Sequence, residues 1–327
     1  MIATSDAAAT ASPSAKRIAW RIAQYALAIA FIVFAARTIW RQWRDASAAD
    51  LQVHLHWGWL ALSSLVILTT YALLVEVWRR VLARSDARVS FAVAARVWFV
   101  SNLGKYVPGK VWQLTSMATM MRRENVSLGV AASSAVMVAV CNVVAGFVVV
   151  LAFGTQSLRA LGEAAETAVI TATAILLVAL LLAPMSVKWA ATVVARFTKR
   201  PVSLSAPAKA VWESTAGYFV TWLLYGIAFE LFAVSVVGHS GGRWESYVAT
   251  FTLSYLVGYL WLPAPGGLGP REWAMSTLFV ALQLGTPAEA AVVTVASRLW
   301  LTVLEVVPGL LYLIRRPRGT SSSAVAS

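Results

Sequence analysis

The chain has 327 residues, 59% of them hydrophobic and 13% charged, with a mean hydropathy of +0.72. Soluble domains carry about 25% charged residues, so a soluble globular protein is excluded and an integral membrane protein is the expected class. The 27 lysines and arginines against 14 acids give a formal charge of +13. These cations gather at the ends of apolar runs, where positive-inside sorting and anionic headgroups account for them, and nucleic acid is not an expected partner.

In chain order, residues 1–17 are small and polar and are expected to form a disordered cytoplasmic tail. A first span is predicted over about 18–39, most of it in "KRIAWRIAQYALAIAFIVFAA". It has the look of a signal peptide, but no small-residue cleavage site clearly follows, so it is read as a retained helix. A second span is predicted at 57–78. The stretch "SFAVAARVWFVSNLGKYVPGKVWQLTSMATMMRR" then reads as helix, Pro/Gly break, helix. Its first arm, 91–102, rises only about 18 Å as helix, too short to cross a bilayer. Further spans follow at 127–153, 166–186 and 213–237. A second broken element comes next, "SYVATFTLSYLVGYLWLPAPGGLGPREWAMSTLFVALQLG", whose arm over 246–262 rises about 25 Å. The last span is 289–314, and 315–327 is a cytoplasmic tail. The predicted fold is an all-α polytopic membrane protein. It has six spans plus two Pro/Gly-broken, re-entrant helical hairpins, or up to eight spans if the hairpins cross.

Cation placement sets the expected sidedness. Lys16 and Arg17 precede the first span, Arg79, Arg80, Arg84 and Arg88 follow the second, and Arg122 and Arg123 precede the third. Lys188, Arg196, Lys199, Arg200 and Lys209 fill the loop before the fifth, and Arg315, Arg316 and Arg318 end the last. All fall on one face if each hairpin enters and leaves on the same side, and that face is expected to be cytoplasmic, with both termini. The loop at 154–165 then lies outside. The first outer loop, with Arg37, Arg41 and Arg44, fits the rule least well. Within the single membrane domain, 18–314, the halves at about 18–153 and 166–314 each hold two spans, a hairpin and a span. Three net crossings per half invert the second half relative to the first, the plan of many transporters.

Non-helical backbone at membrane depth is tolerated only beside protein or a water-filled cavity, so the breaks are the first candidates for chemistry. In the first, Pro108-Gly109 ends one arm and Lys110 opens the next. In the second, Gly269 is placed to cap a helix with Pro270 at its first position and Arg271 and Glu272 in its first turn. A cation at a helix N-terminus, where the macrodipole is already positive, suits an anionic ligand. Lys110 and Arg271 are therefore candidate anion ligands. Lys105 is either that or a side chain snorkelling to the cytoplasmic face. Arg298 stands about ten residues into the last span, where a charge costs at least ~2.5–3.5 kcal/mol. It binds a headgroup or forms a buried pair, such as one with Glu272, and the two are compatible. Glu305, two turns further, and Glu230 in the fifth span are intramembrane acids and candidate coupling groups. Asn142 is expected to make an interhelical hydrogen bond, and Glu76 an ordinary pair with Arg79 and Arg80. His54 and His56 lack a third ligand, so no metal is expected. The lone Cys141 lies in an apolar run and reads as a small hydrophobe. No GxSxG, HExxH, Walker A or paired-cysteine motif occurs, and neither an enzyme nor a cofactor is expected.

With Asn102, Lys105, Tyr106, Pro108, Gly109, Lys110 and Trp112 in one loop, "PGGLGPRE" in the other and Arg298 beyond it, the chain resembles a known family. It is similar to the flippase-like membrane domain of bacterial lysylphosphatidylglycerol synthases, in its stand-alone form, over about 18–314. It departs at Pro270 and Trp273, where the family more often has a small aliphatic residue and a glycine. The resemblance implies a polytopic helical fold in the bacterial cytoplasmic membrane and handling of lipids across it. Aminoacyl transfer is not carried over, because the synthetic half is not in this sequence. The expected function is translocation of an anionic lipid or lipid-linked intermediate, such as a polyprenyl phosphate, phospholipid or glycolipid. Lys105, Tyr106, Lys110, Trp112, Arg271, Glu272 and Arg298 would meet the headgroup. The alternative is a non-transporting membrane partner of an enzyme of envelope-lipid or polysaccharide synthesis.

Overall fold

The computed structural model describes residues 55–106, 111–160, 162–181, 208–261 and 267–314. Both predicted tails, the first span, Lys110 and most of the second Pro/Gly turn lie outside them, as do the side chains of Lys105, Tyr106 and Trp112. The described chain is helical throughout: α1 (Trp57–Arg84), α2 (Phe91–Asn102) with a 3₁₀ turn (Leu103–Tyr106), α3 (Val111–Arg123), α4 (Leu128–Phe153), α5 (Thr155–Ala160), α6 (Glu163–Leu181), α7 (Ala208–Val237), α8 (Trp244–Leu260), α9 (Pro270–Ala281) and α10 (Pro287–Ile314).

Four of these, α1, α4, α7 and α10, are long and apolar enough to cross a membrane, and they coincide with predicted spans. Helix α6 carries the predicted 166–186 span as far as Leu181, with its apolar stretch at Glu166–Val178. At 12 and 13 residues, the hairpin arms α2, α3 and α9 fall well short of the roughly 20 residues needed to cross. The protein is thus an integral membrane protein of α-helices.

Local chemistry fixes the helix ends. Ser90 and Ser127 cap α2 and α4, their hydroxyls accepting from the Val93 and Val130 N–H groups. Thr286 and Glu289 form a reciprocal capping box at the start of α10. Helices α1, α3 and α9 end alike, in a left-handed residue: Asp86, Asn125 and Gln283, with φ of 58°, 61° and 57°. The next N–H then turns back five residues, Ala87 to Leu82, Val126 to Met121 and Leu284 to Phe279. This bond satisfies carbonyls the helix leaves open and reverses the chain.

Helix α7 is the hub, packing against α1, α4, α8 and α10. Its contact with α8 is close because Gly226 has no side chain: a Cβ there would stand 2.4 Å from the Val248 backbone. Ser63 Oγ donates to the Ala228 carbonyl (2.6 Å) and Trp300 Nε1 to Ser64 Oγ (3.0 Å), tying α1 to α7 and α10. The first arm of each hairpin packs on the last span of the opposite half, α2 on α10 and α8 on α4, and the second arm on the last span of its own half, α3 on α4 and α9 on α10.

Contacts also fix the two ends of the bundle. Arg84 makes a two-point ion pair with Glu213 (2.7 and 2.9 Å), and Trp78 Nε1 donates to Ser134 Oγ (3.2 Å). The end of α1, the start of α7 and the start of α4 therefore share the basic end. At the other end the His56 N–H donates to the Ser235 carbonyl, Phe153 packs on Trp244, and His239 meets Glu289. The first hairpin opens at the basic end and the second at the other. The predicted outer loop at 154–165 holds α5, which contacts α8 and α9. Buried Leu158 gives these six residues an apolar anchor that a plain loop would lack.

Candidate functional site

A cavity of about 280 Å³ lies at the centre of the bundle, where the hairpins meet. The second hairpin supplies one of the two lining cations, Arg271. Gly269 caps α9 with φ of 91°, Pro270 takes the first position, and Arg271 follows, as the sequence reading expected. The Arg271 guanidinium lies over the rings of Phe251 (5.5 Å) and Tyr255 (5.1 Å). Cation–π attraction thus holds the charge on α8 in surroundings that would otherwise repel it.

Arg298 reaches the cavity from α10 and donates to Glu272 Oε1. The other Glu272 oxygen accepts the Gly269 N–H at 2.7 Å. One carboxylate therefore caps α9 and neutralises a buried arginine on α10, with the two side chains only 13% and 10% exposed. The paired alternative for Arg298 is the one the structure contains, and it leaves Arg298 in the cavity wall. Glu305 is buried and lines the same cavity below it.

The first hairpin contributes an amide pair. Gln113 Nε2, at the start of α3, donates to Asn102 Oδ1, at the end of α2, and both line the cavity. In the second hairpin two main chains come close. Gly267, with φ of 69°, lies so near Gly258 that a Cβ would stand 2.6 Å from the Gly258 carbonyl oxygen. No side chain fits between α8 and the turn.

Arg271, Glu272, Arg298 and Glu305 are thus brought together. Glu230 is not. It sits toward the Val237 end of α7 within reach of Ser240, away from the cavity. Lys110 and the side chains of Lys105, Tyr106 and Trp112 lie outside the described residues. Asn142 lines the cavity, but its interhelical bond uses its main-chain carbonyl, which accepts from Trp222 Nε1 at 2.9 Å. Glu76 pairs with Arg79 and Arg80 at 2.7 and 2.9 Å, an ordinary helix pair. No group of three metal-ligating side chains occurs among the described residues.

The sequence reading missed the aromatic wall. Phe251, Tyr255 and Tyr259 follow at i, i+4 and i+8 on α8 and stack in turn, at 6.2 and 6.4 Å between centroids. Tyr225 of α7 continues the column on Phe251 at 5.4 Å. The signal was the fourfold spacing in "FTLSYLVGYL", which puts three rings on one helix face.

Compared with known families, residues 20–309 match the lysylphosphatidylglycerol synthase TM region. The chain belongs to this family. A comparison with curated proteins gives no match. As a lysylphosphatidylglycerol synthase TM region, the chain is a membrane domain linked to lipid handling. Its two departures from the family pattern sit easily in this fold. Pro270 takes the helix position proline suits best, and Trp273 points outward with 61% exposure.

Proposed function

We propose that the protein is a flippase-like carrier that moves an anionic lipid, or a lipid-linked intermediate, across the bacterial cytoplasmic membrane. The observation that carries this reading is the central cavity, with Arg271 and Arg298 in its wall between two opposed hairpins. Phosphate suits Arg271, which stands at a helix N-terminus, with a second arginine beside it in the wall. The hydrocarbon tail would stay in the bilayer while the headgroup crosses through the cavity. The hairpin packing supports an inverted repeat, in which α1, α2, α3 and α4 correspond to α7, α8, α9 and α10. Rocking of one half against the other would then expose the cavity to each side in turn. Both termini would be cytoplasmic, and no covalent chemistry would be involved.

The test is reconstitution in liposomes carrying headgroup-labelled anionic lipid. Movement well above protein-free vesicles is expected, with its loss in the Arg271→Ala, Arg298→Ala double variant. Movement no faster than in empty vesicles, or undiminished in that variant, would overturn the reading. Co-purification with an envelope-lipid enzyme, with function sensitive only to surface substitutions, would favour a partner role instead.

A further inference from the structure

Resting on the anionic-lipid reading, we infer that the cavity takes a ring polyol, a hexose or an inositol, joined to its lipid through a single phosphodiester. Two features of the wall limit what fits, and each acts independently of the other.

The first is charge. Arg298 is already neutralised by Glu272, which leaves one cation, Arg271, and one acid, Glu305, among the described lining residues. Burying uncompensated charge is costly. A cavity so balanced accepts one phosphodiester negative charge far more readily than the two or more of a phosphomonoester or pyrophosphate. A strongly anionic headgroup would call for a wall with excess cations, and the described part of this wall has none.

The second is the neutral lining. Besides Arg271 the cavity is lined by the rings of Tyr225, Tyr255 and Tyr259 and by the amides of Asn102 and Gln113. Aromatic faces offer a flat apolar surface with hydroxyls at the edge. A sugar or cyclitol matches it with axial C–H groups on one face and hydroxyls around the rim, and amides serve those hydroxyls as donor and acceptor. Size agrees: an engineered cavity of about 150 Å³ takes one benzene ring. The 280 Å³ here holds a six-membered ring and a phosphate together.

The experiment uses the full chain in nanodiscs and equilibrium binding of short-chain lipids. The probes are dioctanoyl phosphatidylinositol, a short prenyl phosphohexose and dioctanoyl phosphatidic acid. Phosphatidylinositol or the phosphohexose should bind about tenfold tighter than phosphatidic acid. Removing one stacking face should cost about fivefold, so Tyr259→Leu should lower ring-polyol binding by that much and leave phosphatidic acid binding unchanged. Tyr259 is partly exposed, so its variant keeps the core intact and guards against simple misfolding. Arg271→Ala should weaken all three probes. Equal binding of all three by the wild type, or an equal loss for all three in Tyr259→Leu, would overturn the ring-polyol assignment and leave the anionic reading standing. Absence of binding by every probe would overturn the anionic reading itself.

Discussion

Replacing Glu272 separates its two roles. Glu272→Gln keeps an oxygen for the Gly269 N–H and keeps the side-chain shape, but it removes the charge that balances Arg298. The pair is nearly closed to solvent, at 13% and 10% exposure, so screening by water is small. Removing one partner of a buried pair costs about 3–5 kcal/mol, because the remaining charge stands uncompensated. Arg298 also borders the cavity, where water can reach it, which places the expected loss near the lower limit, about 3 kcal/mol. Glu272→Ala loses the cap as well, adding about 1 kcal/mol. The double variant Glu272→Leu, Arg298→Leu, which leaves no buried charge behind, should recover most of the loss. The assay is reversible unfolding in bicelles, carried through the four corners of a mutant cycle. A coupling energy within about 0.5 kcal/mol of zero, as for independent sites, would refute the pairing argument.

Three further outcomes follow from the packing. Gly226→Ala drives a methyl group into the Val248 backbone 2.4 Å away, so it should destabilise the fold by about 1–3 kcal/mol as an overpacked contact. The same unfolding assay measures it. Trp222→Phe removes the hydrogen bond to the Asn142 carbonyl and should cost about 1 kcal/mol. Cys141 is the single cysteine and is buried, so the folded protein should resist maleimide. In a Cys141→Ala background, Ser240→Cys should label from outside intact cells and Arg88→Cys only after permeabilisation. The opposite pattern would place the basic end outside.

The parts of this molecule legible in its sequence are those governed by neighbours in the chain. Gly269, Pro270 and Glu272 follow helix-start rules that act over four residues, so the start of α9 was readable before any tertiary contact was known. The long apolar runs fixed α1, α4, α7 and α10 for the same reason. Arg298 announced itself by the cost of its charge, and Glu272 was a natural partner because few acids lie at membrane depth. What stayed hidden depended on direction. Three rings at fourfold spacing look the same whether they face lipid or a cavity, and only the packing of α8 against α7 and α4 turns Tyr255 inward. Likewise nothing local marks Gly258 as the glycine that meets Gly267, 9 residues away across a turn. Leu158 looked like one apolar residue in a short loop, and its burial beneath α5 is a tertiary matter.

The contact of Gly258 with Gly267 bears on how force travels through this protein. Side chains act as soft bumpers between helices, since they change rotamer before the backbone must move. Here two main chains touch with no such layer between them, and the Arg271 side chain starts immediately beyond, its Cβ 2.6 Å from where a Cβ on Gly258 would lie. A tilt of α8 is therefore passed at full stroke to the start of α9 and to the guanidinium it carries. The start of α9, set directly on the α8 backbone, works as a stiff lever with Arg271 at its end.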